Sequence, residues 1–309
     1  MPFCAEFVKS LTPITQSTQL PHDDYLRFYK LDLAPRFKGL EMRIGVFQAA
    51  GYRLVAQSFK PPHARGTLVL LHGYYDHVGL YGHLIEWALS QGFAVIACDL
   101  PGHGLSDGPR ASIQDFTQYQ DVLTGLLQQA CDLALPSPWH LCGQSTGAAI
   151  ALDHVLHRPD KALGRSILLA PLVRPRAWRR SQLSYQLLKP WVQQIPRRFS
   201  DNSSDHQFIT FVRHHDPLQP KVLPTAWVGA LGRWIKRIEK AQASQHHALI
   251  VQGEADQTVA WTHNLKVLKQ KLPHADVLML PTARHHLVNE VASIREHYLA
   301  FLGKALSEV

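Results

Sequence analysis

No run of about 18 apolar residues occurs in this 309-residue chain, so no membrane-spanning helix is expected. The most apolar candidate, Leu133 to Leu152, is broken by Pro136, Pro138, His140, Gln144 and Ser145. The N-terminus lacks the basic start and apolar block of a secretory signal, and the expected location is the cytoplasm. Cysteine is scarce. Cys4, Cys98, Cys131 and Cys142 show no CxxC spacing, which excludes a disulfide scaffold and predicts reduced, mostly buried thiols. Glycine (19) and proline (20) are too few for a collagen-like chain. There is no internal repeat, no low-complexity tract and no HExxH, so the 19 histidines do not by themselves indicate a metal site. No recognised nucleic-acid module is present, and no nucleic-acid partner is expected. What is present is apolar mass: 46% hydrophobic residues exclude intrinsic disorder and suffice for one large core or two modest ones.

Negative charge is also locally absent. Pro171 to Ser200 contains Arg174, Arg176, Arg179, Arg180, Lys189, Arg197 and Arg198 but no acid, and so carries all but one unit of the net +8. A basic patch this local predicts a local partner, such as an anionic membrane surface or an anionic substrate.

From residue 41 the punctuation becomes regular. Ile44–Ala49 and Leu54–Phe59 flank Gly51 as a hairpin. Short apolar runs at Thr67–Leu71, Ala94–Cys98, Trp139–Cys142, Ser166–Ala170, Leu249–Val251 and Val277–Leu280 suit strands buried on both faces. Between them lie helical patterns at about 80–90, 113–130, 146–157, 261–272 and 289–303. The alternation predicts parallel βαβ units. One segment departs from it. Residues 171–240 show no convincing strand, but Leu183, Leu187, Leu188 and Trp191, then Trp227, Leu231, Trp234, Ile235 and Ile238, fall at helical spacing. The expected organisation is an irregular arm over 1–40, an α/β core over 41–170 and 241–309, and a helical cap over 171–240 that opens.

Gly143-Gln144-Ser145-Thr146-Gly147 is a G-x-S-x-G pentapeptide between the strand WHLC and the small-residue helix TGAAIALDHVLH. A sharp strand-to-helix turn exposes such a serine as a nucleophile at a helix N-terminus, and the flanking glycines admit close backbone. A serine needs a base and an orienting acid, each expected just after a late strand. Asp256 follows one such strand, with Glu254 as its rival. His285 and His286 follow the next, and spacing alone does not separate them. Oxyanion-binding N–H groups are expected at Tyr74, after the strand ending in His72-Gly73, and at Thr146. His72 and Asp99 read as residues that brace these turns.

Together these residues resemble the α/β-hydrolase superfamily, more closely its monoglyceride lipase and lysophospholipase branch, often grouped with serine aminopeptidases. The motifs are His72-Gly73, Asp99-x-Pro101-Gly102-His103-Gly104-x-Ser106, Gly143-x-Ser145-x-Gly147, Gly253-x-x-Asp256 and Ala283-Arg284-His285 with Asn289-Glu290. Pro196–Ser200 and Arg213–Leu218 also look like bacterial lysophospholipase relatives. The likeness runs from about 40 to 304. It implies a mostly parallel sheet flanked by helices with a helical cap, and it favours His285 over His286. It further implies a serine ester hydrolase acting on a monoacylglycerol or lysophospholipid without a cofactor. Ser145, Asp256 and His285 would be its triad. Two departures stand out: Tyr74-Tyr75 where relatives often carry smaller residues, and His286 where a carboxylate or Asn is frequent. A peptidase or small-ester carboxylesterase of the same fold is the alternative. An amine reader would want cap acids, which 171–200 lacks, although Asp201, Asp205 and Asp216 follow. A non-catalytic binding protein of this fold is the other alternative.

Overall fold

The computed structural model describes residues 5–18, 24–158 and 162–307; Cys4 lies outside them. The N-terminal segment holds two short helices, α1 (Ala5–Ser10) and α2 (Asp24–Phe28). Next come β1 (Glu41–Ala49) and β2 (Tyr52–Lys60), paired antiparallel with Ala49 opposite Tyr52. The turn residues Ala50 and Gly51 have φ of +52° and +80°, the left-handed pair whose twist suits a two-residue hairpin. Strands and helices then alternate: β3 (Thr67–Leu71), α3 (Gly82–Ser90), β4 (Ala94–Cys98), α4 (Thr117–Asp132), β5 (Trp139–Gln144), α5 (Thr146–His157) and β6 (Leu163–Leu169). An insertion follows, made of α6 (Trp178–Leu188), β7 (Gln194–Pro196), α7 (His206–His214), β8 (Val222–Pro224) and α8 (Thr225–Lys240). The chain closes with β9 (Ala248–Gly253), α9 (Trp261–Lys271), β10 (Asp276–Leu280) and α10 (Ala292–Ser307).

Eight strands form one sheet in the order β1-β2-β4-β3-β5-β6-β9-β10, antiparallel at β1/β2 and β2/β4 and parallel elsewhere. The central strands are buried on both faces because their apolar runs feed two cores. In β3, Val69 and Leu71 pack with α4 and α5, while Leu68 and Leu70 pack with α3 and α10. The N-terminal segment joins the second core through Leu11, Tyr25, Leu31 and Leu33, and its Ile14 N–H donates to the Val46 carbonyl beside β1. Cys98 and Cys142 are buried, whereas Cys131 is exposed on α4.

The insertion sits between β6 and β9. Its α8 buries Trp227, Leu231, Trp234, Ile235 and Ile238 on one face. Trp234 Nε1 donates to Asp153 of α5 at 3.1 Å, and Arg237 pairs with the same carboxylate. A second buried acid, Asp216, ties the insertion to the rest of the chain. It accepts from the Tyr29 hydroxyl at 2.8 Å and from Gln219 at 2.7 Å, and it pairs with His77 at 2.9 Å. The three-residue strands β7 and β8 pair antiparallel within the insertion, where the sequence pattern suggested helices alone. The stripe on α6 is turned outward: Leu183, Leu187, Leu188 and Trp191 are exposed, Trp191 by 81%.

Candidate active site

The site is built on the turn from β5 into α5. Ser145 has φ +54° and ψ −108°, a strained conformation for a residue with a side chain. The turn closes this tightly because both flanking glycines are in contact with backbone. A Cβ on Gly143 would lie 2.2 Å from the Gly147 carbonyl carbon, and one on Gly147 would lie 2.0 Å from the Leu71 oxygen. The Ser145 N–H donates to Leu169 O at 2.8 Å, which fixes the turn against β6.

Two loops at the strand ends meet this serine. His285, after β10, has Nε2 2.9 Å from Ser145 Oγ and Nδ1 2.7 Å from Asp256 Oδ2. Asp256, after β9, also accepts from the Thr258 and Val259 N–H groups and from Gln252 Nε2. Burial alone would raise the Asp256 pKa. The His285 charge and hydrogen bond, with the two backbone donors, outweigh burial and hold the carboxyl below its usual range. The carboxylate therefore stays ionised, and the Nδ1–H donates to it. This leaves Nε2 as the acceptor facing Ser145. Glu254, the rival acid, is exposed. Gln144, inside the pentapeptide, donates from Nε2 to the His285 carbonyl at 2.8 Å and so holds the histidine loop. Nothing in the sequence around Gln144 signals this role, because its partner lies 141 residues away.

Of the two expected oxyanion donors, Thr146 is the first residue of α5, where helical N–H groups lack an intrahelical partner. Tyr74 follows β3 and lines the same cavity as Ser145. The turns behind it are braced by buried side chains. His72 Nε2 accepts from the Leu100 N–H at 2.8 Å, so its Nδ1–H donates to Gly73 O at 2.7 Å. Asp99 accepts from the Val78 and Leu105 N–H groups, each at 2.8 Å.

His286 does not approach the serine. It faces Asp76, 3.2 Å away, whose carboxylate also accepts from the Tyr81 hydroxyl at 2.9 Å. Burial opposes ionisation of Asp76, but His286 and the Tyr81 hydrogen bond overcome it and hold the carboxyl far below its usual range. The tyrosine pair lies over the serine's cavity. Tyr74 stacks on Trp227 with ring centroids 3.8 Å apart, and its hydroxyl donates to Ala111 O. The cavity measures about 320 Å³ and is lined by Ser145 and His285, by apolar groups including Trp178 and Leu231, and by Arg197. Among the described residues no group of three or more His, Cys, Asp or Glu could hold a metal ion.

The serine aminopeptidase S33 family model matches residues 62–292, more than half of the chain. The chain belongs to this family. Among curated relatives, phospholipase YtpA of Bacillus subtilis is 31% identical over 105 residues, covering 34% of this chain and 40% of that protein. Human monoglyceride lipase is 33% identical over 127 residues, covering 40% of this chain and 41% of that protein. The match thus spans about two fifths of the length of each. A soluble variant of Saccharomyces cerevisiae monoglyceride lipase, solved with a substrate analogue, superposes with a TM-score of 0.73 at 16% identity, covering 88% of this chain and 97% of that one. The monoacylglycerol lipase of Paleococcus ferrophilus gives 0.71 at 20% identity, covering 82% and 98%. At such identities the likeness is one of fold. This S33 member has the α/β-hydrolase fold.

Proposed function

We propose that the chain is a serine ester hydrolase acting on monoacylglycerol or lysophospholipid substrates. The observation that carries this reading is the Ser145–His285–Asp256 relay, with links of 2.9 and 2.7 Å, opening into a largely apolar cavity. Ser145 Oγ attacks the ester carbonyl while His285 Nε2 takes its proton. Asp256 fixes the imidazole tautomer and stabilises the imidazolium. The Tyr74 and Thr146 N–H groups hold the oxyanion. His285 then protonates the leaving alcohol, and water cleaves the acyl-enzyme with the same histidine as base. No cofactor takes part in these steps. A peptidase would need an acid to read the substrate amine. The acid lining this cavity, Asp76, is paired with His286, which favours the ester reading.

The outward face of α6 supports peripheral contact with an anionic membrane at the cytoplasmic side. Leu183, Leu187, Leu188 and Trp191 are exposed beside Arg179, Arg180 and Lys189. Large apolar side chains add roughly 1.5–3 kcal/mol each when fully buried, and each cation near an anionic surface adds about 1 kcal/mol. The 171–240 segment acts in this reading as the cap that shelters the acyl chain.

A fluorophosphonate probe read by intact mass tests the activity. One adduct on the native chain and none on Ser145→Ala is the expected result. No adduct on the native chain would overturn it in favour of a non-catalytic binding protein.

A further inference from the structure

The basic stretch of residues 171–200 does not remain one patch in three dimensions. Arg174 pairs with Glu239. Arg179, Arg180 and Lys189 face outward. Arg197 turns inward, to the cavity that Ser145 and His285 also line.

The setting of Arg197 is unusual for a structural cation. Its guanidinium carbon lies 4.0 Å from the centroid of the Tyr75 ring and 4.3 Å from that of Phe199. Two aromatic rings therefore flank the guanidinium. Along its edge, one nitrogen donates to Gln219 Oε1 at 2.6 Å and to Pro220 O at 3.2 Å, both neutral acceptors. A guanidinium carries five N–H donors, so this leaves capacity unspent. Among the described residues no carboxylate lies within 4.0 Å of it, and the nearby Asp76 is already paired with His286. Burial lowers the Arg197 pKa, and the more distant Asp76 and Asp216 carboxylates oppose that shift without cancelling it. Tyr75, whose ring is one of the two against the guanidinium, has φ +72°, a strained backbone for a non-glycine residue. Strain of this kind persists where the surroundings hold the residue in place, and here it presents the ring to the guanidinium.

The cavity lining contains two kinds of group. Trp178, Val228 and Leu231, from α6 and α8, are apolar and suit an acyl chain. The segment with Arg197, Arg198, Ser200 and Asn202 is polar and cationic. An ester attacked at Ser145 has two halves. With its acyl half against the apolar side chains, its alcohol half is left to the cationic segment.

We propose that Arg197 is a specificity residue that selects esters whose alcohol half carries a phosphate. The inference rests on the ester-hydrolase reading above and narrows its substrate. In the step concerned the acyl C–O bond breaks, the leaving oxygen takes its proton from His285, and the alcohol departs with its phosphate ester intact. Arg197 binds charge and takes no part in bond making. A planar fork flanked by two rings is matched to the paired oxygens of a phosphate.

The test compares kcat/KM for 1-acylglycerol-3-phosphate, 1-acylglycerol and an acylated glycerate, all with one short acyl chain and all monomeric. The native protein is expected to favour the phosphate ester over the neutral one at least tenfold. In Arg197→Met that ratio is expected to fall at least tenfold, with an intermediate ratio in Arg197→Lys, which keeps the charge and loses the fork. Equal rates on the phosphate and neutral esters, or a ratio unmoved in Arg197→Met, would overturn the proposal. An equal preference for the glycerate ester would overturn its phosphate component. Fluorophosphonate labelling of each variant reports whether the site is assembled, and Arg197→Lys carries the comparison where Arg197→Met fails to label. Ser145-dependent turnover with no charge preference sinks this inference alone. Absence of any Ser145-dependent turnover or labelling sinks the ester reading, and the inference with it.

Discussion

Replacing Asp256 by Asn tests the relay at its most constrained point. One carboxylate oxygen, Oδ1, accepts from the Thr258 and Val259 N–H groups at 2.7 and 3.1 Å. An asparagine must keep its carbonyl oxygen there, because an NH₂ group would face two donors. Its NH₂ then occupies the Oδ2 position, 2.7 Å from His285 Nδ1 and 3.2 Å from Gln252 Nε2. Facing a donor, His285 Nδ1 becomes the acceptor, so the proton moves to Nε2. That nitrogen can no longer take the Ser145 proton. Loss of the correct tautomer in such a triad lowers kcat by about 10⁴-fold. The opposed donors of Gln252 and the new amide add a folding cost of about 1–3 kcal/mol, the range for a buried unmade hydrogen bond. The assay is steady-state hydrolysis of a short-chain p-nitrophenyl ester together with the rate of fluorophosphonate labelling, on protein shown folded by its thermal transition. Glu254→Gln is the control. Its side chain is exposed and outside the relay, so its rates should stay within twofold of the native protein. A folded Asp256→Asn that labels within tenfold of the native rate would refute the assignment of Asp256 as the orienting acid.

The His77–Asp216 pair gives a pH-dependent stability. Burial works against both charges, but their mutual attraction raises the His77 pKa and lowers that of Asp216. The raised histidine contributes below its unfolded pKa of about 6.5 and loses that contribution as pH rises through its folded pKa; the lowered carboxyl contributes above about 4 and fails in acid. The unfolding free-energy gap between the native chain and His77→Asn, from urea midpoints, should therefore be widest near pH 5–6, about 3–5 kcal/mol for a broken buried pair, and narrow as pH rises through the folded pKa of His77. His103, whose pKa burial lowers, titrates in both proteins and cancels in the difference, whereas His72 is pushed down partly by the His77 charge and regains part of its basicity in the variant; a gap flat with pH would show that the pair is not ionised. For the α6 face, Trp191→Ala combined with Leu187→Ala should reduce co-sedimentation with vesicles containing anionic lipid at least tenfold, and binding that persists in the double variant would place the contact elsewhere.

The sheet was legible because its signals are local. Five-residue apolar runs such as TLVLL and AVIAC can be buried on two faces in only a few ways, and each lies in a strand of the sheet. Helix starts were less well marked. The pattern at 113–130 begins with Ile113 and Phe116, which are buried, yet α4 starts at Thr117, because those two side chains pack from the loop that leads into the helix. The pentapeptide and the two late loops were readable as separate motifs. Their meeting was not, since it depends on contacts such as Gln144 to the His285 carbonyl across 141 residues. The direction of the α6 stripe was likewise hidden, because helical spacing shows that Leu183 and Leu187 share a face but not what that face meets. The inward turn of Arg197 and the pairing of Asp76 with His286 are of the same kind, as each partner comes from a distant loop.

The two buried acids that fasten the insertion have a mechanical consequence. Asp153 grips α8 through Trp234 and Arg237, and Asp216 pins the loop after α7 to the Tyr29 and His77 side chains. Among the described residues no buried acid anchors the outer end of α6; Leu187 to Ile195 is exposed or half-buried throughout, and its last residues are held by Thr225 and β8 within the insertion. The insertion is thus fastened to α5 and the N-terminal segment along one side, while its other side is held only by contacts within the insertion. Its outer edge bears the same apolar and basic side chains proposed to meet a membrane, while Trp178 at the inner end of α6 forms part of the cavity wall. Load applied to the outer edge reaches the cavity by two routes, through α6 to Trp178 and through β7 to Arg197 and Phe199, with α8 as the fulcrum.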